Sequence, residues 1–468
     1  LADWLGEFFT KHGASIERDA HANVIATFAG RGALADAEPL ALLVHLDTAR
    51  GTYPVDGLIV HPGWNGERLS YPKNPGLDVS LANYPSLQVF MGQDVLHGPG
   101  DAPFGLDDKL GMTHMMTLAW LLHTNPSLPH PPLLLIARPD EEIGRMEALV
   151  GLADMLATRG VRSGYTIDGL EPFEINVENF NAAQGSVWFE HGDLDLQGGH
   201  WVDLFIGGVN THGATAKAEG HRPATRLAAE IFDRLASNNG VTPATFASDA
   251  LRDCDARIHV HVQSTDAHKA LEDAVKAVVG PHIPRGASYS LNAATAPARP
   301  TSAVRAALQL ILRFLNSNPG FELAAEDSEH YQGYSQPYRI LADGDALRLD
   351  VRIRDFKPEG IQARQDHLTT VVDGAHKLSF QHQYVNMGPK LAERPDLVER
   401  ALQAGQCQDI ASRVLPIRGG TGVDPFLDKG IAVANLGTGY FAPESEKEFT
   451  SLQSMASHAL WLLALCTA

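Results

Sequence analysis

Apolar residues at Leu1, Trp4, Leu5, Phe8 and Phe9 fall on one face of a helix that closes near Gly13. Two short strand-like pieces follow, Ser15–Arg18 and Val24–Phe28. Leu40–Leu46 is then a continuous apolar run of the kind that fills a buried parallel strand. From Gly51 to about Tyr84, glycine, proline and asparagine predict a long loop, and long loops inside a domain usually serve function. A helix at Asp108–Leu122, a buried strand at Pro132–Ala137 and a helix at Ala148–Thr158 restore an α/β alternation.

Between about Ser186 and Met387 the pattern changes. Val202–Ile206, Ile258–Val262, Tyr338–Leu341 and Leu347–Ile353 mix apolar and polar residues largely in alternation, as half-exposed antiparallel strands do. Within this stretch residues 256–279 resemble residues 347–372, each an alternating strand followed by an amphipathic helix. The echo reads either as an internal repeat or as the coincidence that any two α+β segments offer. After Pro389 the α/β texture returns, with a helix at Pro395–Ala404, a strand at Ile431–Leu436 and a closing helix at Leu452–Leu465. The expected architecture is a doubly wound, mostly parallel α/β sheet with helices on both faces, interrupted by an α+β lid. Its parts are 1–186, a lid at 187–388 with an extra segment near 242–325, and 389–468.

Composition narrows the classes. The 468 residues are 44% apolar and 20% charged, and no apolar run approaches the ~20 residues of a membrane span. Lys+Arg 37 against Asp+Glu 56 gives a net charge of −19, which disfavours nucleic acid as a partner and suits cations. Cys254, Cys407 and Cys466 are odd in number and widely spaced, so neither a disulfide framework nor a thiolate metal site is indicated, and a reducing, cytoplasmic location is expected. The opening at Leu1 shows no secretory signal and leaves room for a preceding segment.

Candidate chemistry gathers at strand ends. His45 and Asp47, two residues apart, leave one face of their strand together; the plain alternative is a solvated strand end. Asp107 and Asp108 stand at a loop-to-helix junction, where an N-cap acid is common. Asp140, Glu141 and Glu142 directly follow the buried strand, at the edge where ligands bind in open α/β sheets, and Asp168 ends another strand-like stretch. Adjacent anions at a buried edge need a cation or several donors. Imidazole and carboxylates without thiolates suit zinc, manganese or cobalt. His259 and His261 alternate on one strand and are expected to face solvent. No nucleophile elbow, His-Glu-x-x-His helix, P-loop or glycine-rich dinucleotide fingerprint occurs.

The strings VHLDTA (44–49), GLDDKLG (105–111), PDEEIGR (139–145), YTIDG (165–169), ENFNAA (178–183), GVNTHGATAK (208–217), IRDF (353–356) and PIRGGT (416–421) resemble peptidase T. That enzyme belongs to the dinuclear-zinc exopeptidase family, with the aminoacylases and carboxypeptidase G-type enzymes. The resemblance implies a ferredoxin-like lid and two divalent metal ions. His45 and Asp168 would bind one ion and Glu142 the other, with Asp107 bridging. Asp47 would orient His45, and Glu141 would be the general base. His212 would donate to the developing oxyanion, while Asn210 and Arg418 would bind substrate, the latter through its terminal carboxylate.

Three departures from that pattern stand out. Where the family has its last metal-binding histidine, alignment on Glu448-Phe449 places Glu444. This reads either as a carboxylate ligand, which favours harder metals, or as a lost ligand and an impaired enzyme. GGTGVD stands in place of GGTDGA after Arg418, and HGAT in place of HPGT at His212. The implied function is a metal-dependent exopeptidase acting on small peptides. The alternatives are an amidohydrolase of another N-acyl amino acid or dipeptide, and a catalytically silent relative that binds metal or peptide. Family lids commonly mediate dimerisation. Two tandem lid copies would cover that surface within one chain, so a monomer is expected, with a lid-mediated homodimer as the other outcome.

Overall fold

The apolar run at Leu40–His45 lies inside an eight-stranded sheet. From edge to edge its strands are Ser15–Arg18, Val24–Phe28, Leu133–Arg138, Leu40–His45, Ser163–Gly169, Ala432–Gly437, Glu174–Glu178 and Arg413–Pro416. This is a computed structural model, and it describes residues 1–49, 51–55, 57–143, 147–210, 219–248, 254–319 and 333–467. The centre of the sheet is parallel: Leu40–His45 pairs with Leu133–Arg138 and with Ser163–Gly169, and the latter pairs with Ala432–Gly437. Strands buried on both faces need apolar residues throughout, which explains the unbroken run at residues 40–44. Helices Leu106–Thr124, Glu147–Thr158, Pro395–Gln406 and Leu452–Thr467 share one core with the sheet.

A smaller sheet joins Tyr440–Phe441, Phe449–Ser451, Val95–His97 and Ile59–His61 in that order, all antiparallel. Its first two strands hold the turn at residues 442–448 between them. The loop expected from Gly51 to Tyr84 carries little regular structure beyond the three-residue strand at Ile59–His61.

The chain divides into two compact units. One comprises residues 1–69, 80–180 and 384–468, and the other residues 70–79 and 181–383. In the second unit Asp78 N donates to Pro284 O at 3.2 Å, which ties the short segment 70–79 to the longer one. The second unit contains two four-stranded sheets with the same strand arrangement. In one, the chain runs His200–Gly207, helix Ala224–Arg234, Val241–Ser248, Asp255–Val262, helix Thr265–Val279 and Ser288–Ala294. In the other it runs Asn181–Glu190, helix Ala303–Ser317, Tyr334–Asp343, Ala346–Asp355, helix Pro358–Val372 and Lys377–Tyr384. Both follow strand–helix–strand–strand–helix–strand, with spatial order second, third, first, fourth. The arrangement is nested rather than tandem, because the whole 200–294 sheet is inserted between the first strand and first helix of the other.

The two strand–helix pieces of the sequence echo occupy equivalent places, third strand and second helix, in the two sheets. On the strand Asp255–Val262 one expectation is corrected. His261 does not face solvent: Trp201 packs on its ring at 5.1 Å, and its Nε2 lies 2.7 Å from Gly198 O, which buries it. Among the described residues no helix is long and apolar enough to cross a membrane.

Two buried histidines join the closing helix to the helix Leu106–Thr124. His114 and His458 stack at 5.1 Å, and Phe173 stacks on His458 at 4.2 Å. His114 Nε2 donates to Thr438 O at 3.0 Å; His458 Nδ1 donates to Ser454 O at 2.8 Å and its Nε2 accepts from Phe173 N. Both rings are neutral, because burial pushes them down, to about 4 for His114 and about 3 for His458. The unfolded chain binds protons at these groups below about pH 6.5 while the folded chain does not, so stability falls as pH drops from there toward about 4. Unfolding free energies from urea titrations should decline between about pH 7 and 5, by at most about 1.4 kcal/mol per pH unit for each histidine. The slope should be shallower in His458→Gln.

Candidate metal centre

Three neighbouring parallel strands end side by side and deliver His45, Arg138 and Asp168 to the carboxyl edge of the sheet, with His45 in register with Arg138. The His45 imidazole is buried. Its Nε2 lies 2.8 Å from Asp107 Oδ1 and 3.4 Å from Asp168 Oδ1, and its Nδ1 lies 3.0 Å from Asp47 O. Asp47 accepts the backbone N–H groups of Glu141 and Glu142, both at 3.1 Å, which locks the turn after Arg138 against the strand end of His45.

The acid pair at the loop-to-helix junction divides its work. Asp108 accepts Gly111 N at 3.0 Å, as a cap would, and His45 N at 3.1 Å with its other oxygen. Asp107 faces the imidazole instead. Glu444 lies in the turn 442–448 at φ 57°, and its N–H donates to Glu448 Oε1 at 2.8 Å. Glu448 Oε2 accepts from Phe104, Gly105 and Leu106 N at 2.9–3.2 Å, so one buried carboxylate pins two loops together.

Electrostatics set this cluster apart. Burial pushes the carboxyls of Asp168 and Glu448 up to about 7. It also raises Asp108 and Glu142 well above the carboxylate range, with Asp168 adding to the effect on Asp108 and Glu444 to that on Glu142. Burial disfavours the charged form of His45, but Asp168, Asp107 and Asp47 outweigh it and hold the imidazole well above its ordinary value. Such crowding asks for a cation. The donor set fits one: ligand atoms of His45, Asp107 and Glu142 lie within 4.8 Å of one another, as do those of His45, Asp108 and Asp168. Glu142 Oε1 is buried with no hydrogen-bond donor among the described residues. Glu444 acts on Glu142 through its charge but belongs to neither group.

Of the remaining expected residues, Arg418 is buried in the same unit, its guanidinium 5.7 Å from the centre of the Phe180 ring. Glu141 lies 3.3 Å from Arg138 Nη2. Asn210 lies in the second unit, after the strand His200–Gly207, and His212 falls outside the described residues. Sequence reasoning passed over Arg138, the second role of Asp108, and the anchor Glu448. It also passed over Tyr440, whose buried hydroxyl lies near Asp107 and Asp168. In the sequence Glu448 serves only as an alignment mark, and Arg138 ends an apolar strand, where a charged residue is itself a signal.

No family model matches the chain. Over 433 residues it is 23% identical to peptidase T of Bacillus cereus strain B4264, covering 90% of this chain and 79% of that protein. Over 441 residues it is 24% identical to peptidase T of Vibrio parahaemolyticus, covering 92% and 81%. Among solved structures, a tripeptidase from Staphylococcus aureus superposes with a TM-score of 0.53 at 14% identity, over 99% of this chain and 91% of that one. Aminopeptidase PepT from Bacillus cereus ATCC 10987 gives 0.51 at 15% identity, over 99% and 91%. The likeness to peptidase T supports a metallopeptidase. The structural likenesses bear on the fold, a mostly parallel α/β sheet with a lid.

The four backbone donors gathered by Glu448 make it the anchor of the centre. Glu448→Ala leaves them without an acceptor in a buried place and should lower unfolding free energy by about 2–4 kcal/mol, read from urea denaturation.

Proposed function

We propose that the chain is a metal-dependent exopeptidase that hydrolyses the amide bond next to a free terminus of a small peptide. The observation that carries this reading is the convergence of His45, Asp107 and Glu142 beside a buried Glu142 oxygen that lacks a donor among the described residues. His45 and Asp168 would hold one divalent ion, Glu142 and Glu444 the other, with Asp107 between. Zinc is the first candidate, and the excess of carboxylate over imidazole also admits manganese or cobalt. Bound there, the two ions would supply an acidified water and polarise the scissile carbonyl.

The rest is work for the chain's own side chains. Asp47 accepts two backbone N–H groups and holds both the ring of His45 and the turn bearing Glu141. Glu141 takes the proton of the attacking water and delivers it to the leaving amine. Arg418 pairs with the substrate's terminal carboxylate, a planar task suited to guanidinium. By the resemblance, His212 donates to the oxyanion and Asn210 binds substrate. With three free cysteines and no pairing among them, we place the protein in the cytoplasm.

We also propose that the protein is a monomer. The first helices of the two lid sheets pack on each other, and each also packs on the other sheet's second strand. Those second strands lie side by side, with Ile340 N donating to Ser248 Oγ at 3.0 Å. This reciprocal contact is what a two-fold dimer interface would provide, supplied here inside one chain.

Chelation should abolish hydrolysis of small peptides, and zinc, cobalt or manganese should restore it; activity that survives thorough chelation would rule out the metallohydrolase. Glu141→Gln should keep its metal and lose roughly two to four orders of magnitude in turnover, whereas Glu142→Gln should lose metal; metal analysis of both variants checks the assignment. Light scattering across micromolar concentrations should give the mass of one chain, and a constant mass of two chains would refute the monomer.

A further inference from the structure

Arg138 is buried at the end of its strand, 3% exposed, and one nitrogen makes two contacts: Nη2 donates to Glu141 Oε1 at 3.3 Å and to Thr421 O at 3.3 Å. Thr421 belongs to the loop that carries Arg418. At its start that loop is pinned by Ile417 N donating to Glu178 O at 2.8 Å and by Phe180 N donating to Gly419 O at 3.2 Å. At its far end the backbone wraps the Arg138 guanidinium. A Cβ on Gly422 would come within 2.6 Å of Nη2 and 2.8 Å of Nη1, and the residue sits at φ +57°. Only glycine leaves this space. It lies in the stretch GGTGVD, where the sequence departs from the pattern it otherwise resembles.

We infer that Arg138 is a positioning residue that holds Glu141 and the Arg418 loop as one unit, so that the group handling the proton and the group gripping the substrate carboxylate keep a fixed separation. The inference rests on the exopeptidase reading above. A guanidinium suits this task because its nitrogens lie in one plane and can serve a carboxylate and a carbonyl together, whereas an ammonium is a point charge on a flexible stem. Misplacement of either group costs rate even where both are present.

The test compares wild type, Arg138→Met, Arg138→Lys, Arg418→Met, the Met/Met double variant and Gly422→Ala on one small peptide, as free acid and as C-terminal amide. Bound metal and thermal unfolding are measured for each. Arg138→Met should keep its metal, lose roughly tenfold or more in kcat, and lose roughly tenfold of the free-acid preference in KM. In the double variant that preference should fall no further than in Arg418→Met alone. Arg138→Lys should recover part of kcat and little of the preference. Gly422→Ala, with Arg138 present but displaced, should reproduce the lost preference.

The inference is overturned if Arg138→Met leaves the preference intact or loses metal, if the two methionine effects multiply independently, if lysine restores both parameters, or if Gly422→Ala behaves as wild type. A wild-type chain that hydrolyses neither form defeats the exopeptidase reading itself, and the inference with it.

Discussion

Repulsion among carboxylates is the constraint around which the first compact unit is arranged. Asp47, Asp107, Asp108, Glu142, Asp168, Glu444 and Glu448 are brought together with one imidazole, and a protein interior tolerates such a group only when donors or cations answer it. The structure sorts them. Asp47, Asp108 and Glu448 are answered by backbone N–H groups, two, two and four respectively. Asp107 and Asp168 face His45 instead, and Glu142 keeps an oxygen with no donor among the described residues. Amide donors thus fix Asp47, Asp108 and Glu448 in place, while Asp108 shares with His45, Asp107, Glu142 and Asp168 a geometry that could hold a cation. That division follows from where N–H groups are free, at the turn after a strand and at the first turn of a helix.

Much of this was legible in the sequence because buried parallel strands need unbroken apolar runs, and those runs mark where the functional edge must lie. The apolar runs at 40–46 and 132–137 mark the strands observed at Leu40–His45 and Leu133–Arg138, and the acids lie just beyond them. Half-exposed elements were harder. Val241–Ser248 and Ser288–Ala294 read as neither clean alternation nor apolar run, since the first is largely buried and the second is an exposed edge. His261 is a related case. Strand alternation fixes the face on which a side chain lies, but not whether a neighbour such as Trp201 then covers it. Glu448 and Arg138 show only part of their role locally, through Glu444 and Glu141; their other partners, at residues 104–106 and Thr421, lie far along the chain and leave no local pattern.

The second unit shows how insertion and symmetry are reconciled. Placing the 200–294 sheet between a strand and its following helix breaks the chain continuity of the other sheet, yet its strand order is retained. What holds the sheets together is a shared core to which both contribute, including Val202, Leu204 and Ile258 from one and Val187, Ile340 and Leu349 from the other. The polar contacts at the join, such as Thr225 Oγ1 to Pro337 O at 2.6 Å, set register more than energy.

The place of the strand Ala432–Gly437 has a consequence for synthesis. It lies between Ser163–Gly169 and Glu174–Glu178 in the large sheet, although some 260 residues separate it from the first of these in the chain. At about 5–20 residues per second the ribosome needs tens of seconds to bridge that gap. Throughout that time Ser163–Gly169 offers one apolar edge with its backbone groups unpaired, the kind of edge that recruits foreign strands. The nascent chain, rather than the finished molecule, is thus where this edge lies open to foreign strands.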